Sequence, residues 1–101
     1  MKLSKKNSCP LCVRSPKTTW YYQDDKWWVV EDLNNHGYEI TILVVLKEHK
    51  PLSEWTKEER NKAKGFVEFT ANRLGYRIIK YDYKNLRVPS HGHIQGCCQK
   101  L

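Results

Sequence analysis

The chain has 101 residues, of which 40% are hydrophobic and 29% charged. That length fits one core rather than two, that composition excludes disorder over most of the chain, and no apolar run approaches the ~20 residues of a membrane-spanning helix. Eighteen Lys and Arg against eleven Asp and Glu leave a formal charge of +7, a field that favours anionic partners such as nucleotides, phosphosugars or RNA.

From the N-terminus, residues 1–8 read as a basic, flexible tail, and residues 9–101 as a single domain. Met1-Lys-Leu-Ser-Lys-Lys lacks the apolar stretch of a secretory signal. With no such signal, Cys9, Cys12, Cys97 and Cys98 read as reduced thiols of a cytoplasmic chain rather than a disulfide framework. Thr18 to Gln23 and Lys26 to Glu31 are β-rich and flank Asp24-Asp25, a hairpin-turn signal. Asn34-Asn35-His36-Gly37 is a second turn cluster. Glu39 to Lys47 is nearly all apolar and β-branched, which suits a central strand covered on both faces.

A helix follows. Thr56 with Glu59 three residues later is a capping-box pattern, and Gly75 stands where a helix-ending glycine belongs. Ala63, Phe66, Val67, Thr70, Ala71 and Leu74 recur at helical spacing as one stripe facing a sheet. Tyr76 to Tyr83 alternates as a strand, predicting Tyr76, Ile78 and Lys80 on one face and Arg77, Ile79 and Tyr81 on the other. A loop over 84–89 leads to a short final strand, His91 to Gln95. Strands, one long helix, then strands predict an α+β domain with an antiparallel sheet of about five strands.

Two motifs carry chemistry. Cys9-Pro10-Leu11-Cys12 has the spacing of a zinc knuckle that needs two further ligands. The remaining candidates are His36, His49, His91, His93 and the Cys97-Cys98 pair. In a strand, His91 and His93 would share a face, as two metal ligands or as one ligand beside one catalytic group. Read blandly, Cys97 and Cys98 are partly buried free thiols, and most of the abundant Trp and Tyr are sheet packing rather than base-stacking platforms.

The segments LVVLKEHKPLSEWTKEER and RVPSHGHIQG, taken in order with CPLC, resemble the histidine triad superfamily. The pattern resembles its H-x-H-x-Q branch with a zinc knuckle, that of galactose-1-phosphate uridylyltransferase and related nucleotidyl transferases and phosphorylases. The resemblance spans roughly residues 9–96. It implies a histidine-triad-like fold stapled by a structural Zn2+ on Cys9, Cys12, His49 and His91. It implies His93 as the nucleophile that forms a covalent nucleotidyl-histidine, and Gln95 as a side chain that hydrogen-bonds the phosphate. Asn85, Arg87 and Ser90, just before the pair, are candidate phosphate donors. The implied activity is a nucleotide-phosphate hydrolase or nucleotidyl transferase acting on a nucleotide or nucleoside-phosphate conjugate, as a homodimer away from membranes. The alternative is a zinc-stabilised module of the same fold that binds nucleotide or RNA without turnover.

Overall fold

The computed structural model describes residues 18–32, 37–82 and 91–100. The expected tail, the knuckle cysteines, the turn at 34–36 and the loop at 84–89 lie outside the described residues. Those described form an α+β fold. Five strands, β1 (Trp20–Gln23), β2 (Trp27–Glu31), β3 (Ile40–Leu46), β4 (Tyr76–Asp82) and β5 (His93–Lys100), make an antiparallel sheet in the order β1-β2-β3-β5-β4. One helix, α1 (Lys57–Leu74), packs on one face, and a 3₁₀ turn at Leu52–Glu54 precedes it. None of the described helices is long and apolar enough to cross a membrane.

The central position of β3 follows from its composition. All seven residues are buried, so the strand can sit only where both faces are covered, between β2 and β5. Ile40, Ile42, Val44 and Leu46 point toward α1 and join Trp27, Val29, Ile94, Ala63, Val67 and Ala71 in the main core. Leu43 and Val45 point the other way, into a smaller cluster with Val30, Trp20 and Trp28. Gly96 explains how closely the helix approaches: a Cβ there would stand 2.3 Å from Val67 Cγ1.

The start and stop signals of α1 operate as the sequence predicts. The Thr56 side chain accepts from the Glu59 N–H at 3.0 Å, and Glu59 Oε1 accepts from the Thr56 N–H at 2.9 Å. Gly75 ends the helix at φ 81°, a left-handed conformation that a side chain disfavours. Leu74, expected to close the buried stripe, is the last residue of the helix and is exposed instead.

Two expectations for the strands need correction. In β4 the faces follow Tyr76, Ile78 and Tyr81, which all pack on the core, rather than Tyr76, Ile78 and Lys80. An irregularity in the pairing with β5 between Ile78 and Lys80 inserts a residue and reverses the alternation beyond it. The last strand also differs: β5 begins at His93 and runs to Lys100, beyond the expected His91 to Gln95. Cys97, Cys98 and Gln99 extend it because they pair with Thr41, Ile40 and Arg77 on both sides.

Glu59 ties this scaffold to the segment after β3. Besides capping α1, its carboxylate meets Lys50 Nζ at 3.2 Å and Lys26 Nζ at 3.3 Å. The Thr56 backbone hydrogen bond holds the Glu59 carboxyl below its ordinary range, aided by the two lysines against the opposing effect of burial. A carboxyl with a depressed folded pKa contributes stability above its unfolded pKa, which is lost as pH falls through the folded value. Glu59→Ala is therefore expected to cost about 1 kcal/mol at neutral pH, as removal of a capping interaction does. Urea unfolding of both proteins should show that difference shrinking as pH falls below the ordinary carboxylate range.

Candidate functional site

Consecutive residues of β5 serve opposite faces of the sheet. Ile94 and Cys98 enter the core under α1. His93, Gln95 and Cys97 therefore point to the other face, opposite Val45, Leu43 and Thr41 of β3. His93 and Gln95 share this face as the sequence predicts, and both are buried, His93 at 2% exposure.

The hydrogen bonds of the two histidines fix their protons. His93 Nδ1 lies 2.8 Å from the His91 carbonyl oxygen. A carbonyl only accepts, so Nδ1 donates, and the lone pair of a neutral His93 resides on Nε2. His91 Nε2 lies 2.6 Å from the Leu46 carbonyl oxygen and donates to it, which leaves the His91 lone pair on Nδ1. Burial pushes the pKa of His93 below the ordinary imidazole value, and neither the His91 carbonyl nor the charge of Asp32 reverses this. Burial lowers the pKa of His91 as well, helped by the proximity of His49 and His93. Both rings are thus biased to the neutral form.

Gln95 is oriented by Asp32, a residue that the sequence reading passed over. The Gln95 amide nitrogen donates to Asp32 Oδ2 at 3.0 Å. A carboxylate can only accept, so the amide nitrogen faces Asp32, and the buried Oε1 has no hydrogen-bond partner among the described residues. The signal for Asp32 was its parity. It follows Trp28 and Val30 by even steps on the second face, one position beyond the expected strand Lys26 to Glu31.

His49 and His91 come together although 42 positions separate them. Their ring centroids are 5.0 Å apart at 83°. The cause is backbone pairing beyond the strand ends, where the Gly92 N–H donates to the Lys50 carbonyl at 2.7 Å. His91 stands just before β5 rather than within it, so its ring turns toward the end of β3 at Leu46 and does not share the surface of His93 by strand alternation. Among the described residues no group of three or more His, Cys, Asp or Glu could hold a metal; Cys9 and Cys12 lie outside them, as do Asn85, Arg87 and Ser90.

Cys97 and Cys98 are both fully buried and neither is in a disulfide, where the bland reading has them only partly buried. Adjacent positions in a strand point to opposite faces, so the two cannot present sulfur to one metal ion. Burial, with Cys97 beside it, pushes the Cys98 thiol up to about 11, so it stays protonated near neutrality.

The residue between the histidines has a defined steric reason. A Cβ on Gly92 would stand 2.3 Å from Trp55 Nε1 and 3.0 Å from the Leu52 backbone nitrogen. Trp55 is itself held edge-on against Trp27 at 5.4 Å. Gly92→Ala is accordingly expected to destabilise the fold by about 1–3 kcal/mol through overpacking. The cost should be smaller in a Trp55→Leu background, which removes the indole Nε1 and Cε2 that the Cβ meets. Equal costs in the two backgrounds, measured by denaturant unfolding, would show that the contact does not govern this position.

No sequence-family model matches the chain, and no curated protein sequence matches it. Its structure is similar to that of a histidine triad protein from Clostridium difficile, with a TM-score of 0.63, 22% identity, and coverage of 93% of this chain and 92% of that one. It is likewise similar to a HIT family hydrolase from Clostridium thermocellum, with a TM-score of 0.61, 21% identity, and coverage of 94% and 90%. The chain shares the fold of these histidine triad proteins over nearly its whole length.

Proposed function

We propose that a chain with this histidine triad fold is a nucleotide-phosphate hydrolase or nucleotidyl transferase that uses His93 as a covalent nucleophile. The observation that carries the proposal is the His93 Nδ1 bond to the His91 carbonyl, which leaves Nε2 as the nitrogen with a free electron pair. A neutral imidazole is a competent nucleophile near neutral pH, and a covalent intermediate replaces one difficult displacement by two easier ones.

In the first step the Nε2 pair forms a bond to the α-phosphorus. The bond from phosphorus to the leaving oxygen breaks, and that oxygen departs with its electrons and takes up a proton from solvent. In the second step an oxygen of water, phosphate or a sugar phosphate bonds to the same phosphorus and gives up its proton. The P–N bond then breaks and returns the pair to Nε2. While the imidazole carries phosphorus, its Nδ1–H stays on the His91 carbonyl, which stabilises the positive charge that develops on the ring.

Gln95 supports this chemistry from the same strand face. One amide N–H is taken by Asp32; the second is available to a phosphate oxygen, and Oε1 is available to accept from the hydroxyl of the incoming acceptor. Both side chains are buried, so binding requires this face to open. Asn85, Arg87 and Ser90 are proposed as further phosphate contacts, and the nucleotide or nucleoside-phosphate conjugate is proposed to be bound by a homodimer.

The same reading assigns a structural zinc to Cys9, Cys12, His49 and His91. The donor set of His49 and His91 fits. The His91 lone pair is on Nδ1 while its Nε2–H is anchored on Leu46, the arrangement by which an outer-shell carbonyl orients a ligating imidazole. Two imidazoles on one tetrahedral ion with bonds of about 2.0–2.1 Å place their ring centroids roughly 5 Å apart, and the two rings stand 5.0 Å apart. When bound, such an ion closes a four-ligand site and supplies cohesion rather than reactivity.

Native mass spectrometry tests both assignments in one experiment. Protein incubated with adenosine, guanosine or uridine diphosphate compounds is expected to carry about one zinc per chain and an acid-labile nucleoside-monophosphate adduct. His93→Ala should keep the metal and lose the adduct, and Cys9→Ser should lose the metal. Wild-type protein that shows neither adduct nor released nucleotide would refute the nucleophile, and wild-type protein without zinc would refute the ligand set.

A further inference from the structure

An open groove of about 660 Å³ lies between the edge strand β1 and α1, and its lining includes none of His93, Gln95 or Asp32. Tyr21 and Tyr22 contribute from the strand, and Lys62, Phe66, Phe69 and Arg73 from the helix. The four helix residues recur at three- and four-residue spacing and so form a single stripe. Phe69 is 67% exposed and Tyr22 45% exposed, so two aromatic rings face water beside the groove. Tyr22 also packs on Phe66 at 5.2 Å, and Lys62 Nζ stands 5.9 Å from the Phe66 ring centre. Both charged residues of the described lining are positive, on a chain of formal charge +7. The carboxylates near the strand residues, Glu31 and Asp24, accept hydrogen bonds from the hydroxyls of Tyr21 and Tyr22.

Gly65 adds an independent observation. It lines the groove from the interior of α1, where glycine costs roughly 0.5–1 kcal/mol relative to alanine. Packing among the described residues does not account for it, since a Cβ there would meet none of them within 4 Å. With no side chain, Gly65 adds no bulk to the lining beside Phe66 and Phe69.

We propose that this groove binds single-stranded nucleic acid, with bases stacked on Phe69 and Tyr22 and phosphates held by Lys62 and Arg73. Exposed aromatic faces flanked by cations are the combination that holds single strands without regard to sequence. The groove favours this occupant over two others. A peptide added to the sheet edge needs a regular unpaired strand, whereas β1 has four residues and an irregularity between Trp20 and Tyr22. A second copy of the chain meeting this surface face to face would bring Lys62 and Arg73 of both copies together, a like-charge juxtaposition. The proposal is independent of the nucleotidyl chemistry assigned to His93.

The test is fluorescence anisotropy of a labelled oligouridylate of about eight nucleotides with the full chain. Phe69→Ala is expected to weaken binding roughly 5- to 100-fold, the loss of one stacked base. Lys62→Gln with Arg73→Gln should reduce the slope of log affinity against log salt by about 1.4, at about 0.7 per phosphate contact on a single strand. All three side chains are exposed, and unchanged melting of each variant would show that the fold survives. Tight binding by Phe69→Ala, or by duplex RNA as well as the single strand, would overturn the proposal. So would equal competition by an oligoglutamate peptide, or loss of an oligomeric state on Phe69→Ala with RNA binding intact. Absence of binding by wild-type protein at low salt would overturn it outright.

Discussion

The pairing of β5 with β3 is the constraint from which the rest of the site follows. It sets His93 opposite Val45 and Gln95 opposite Leu43, on the face away from α1, while Ile94 and Cys98 lock the same strand into the core beneath the helix. A slip of one residue would exchange the faces and bury the two polar side chains among aliphatic ones. Two features guard against that slip. Gly96 admits Val67 of the helix at a spot where any side chain would collide, and Gly92 admits Trp55 in the same way just before the strand begins. Register and site geometry are therefore a single property of this fold.

The electrostatics grow from the same pairing. Where the strands end, the chain supplies carbonyl groups to the imidazoles: that of Leu46 to His91, and that of His91 to His93. Carbonyls accept and never donate, so each ring has its proton placed without the need for a carboxylate partner. Burial then disfavours the charged form of both rings. A neutral, oriented imidazole beside an amide that Asp32 holds in place is what attack on phosphorus requires. The aromatic and basic groove on the β1 edge depends on none of these bonds and stands as a separate surface.

Much of the fold was legible because its signals are local. A strand of uninterrupted β-branched residues reads as central, and Thr56, Glu59 and Gly75 bracket the helix by backbone chemistry that acts within a few residues. The irregularity in β4 was not legible, since alternation of Tyr76, Ile78 and Lys80 looks regular until pairing with β5 inserts a residue. The length of β5 was hidden for a similar reason: Gly96, Cys97 and Cys98 are held by neighbours on both sides, and Gln99 by Arg77 of β4. In the site, the placement of His93 and Gln95 on one face followed from strand period, whereas the approach of His49 to His91 depends on backbone pairing beyond the strand ends. The bond from Gln95 to Asp32 spans 63 residues, and no sequence period connects its ends. Nor does any pattern join β1 to the helix stripe that forms the groove.

The central claim is that His93 presents Nε2 as a nucleophile because the His91 carbonyl claims the proton on Nδ1. Two-bond proton–nitrogen correlation spectra of the imidazole rings, on ¹⁵N-labelled protein near neutral pH, read this directly. The account predicts that His93 shows a protonated Nδ1 and an unprotonated, pyridine-like Nε2. A proton on Nε2, or an imidazolium with both nitrogens protonated, would contradict it.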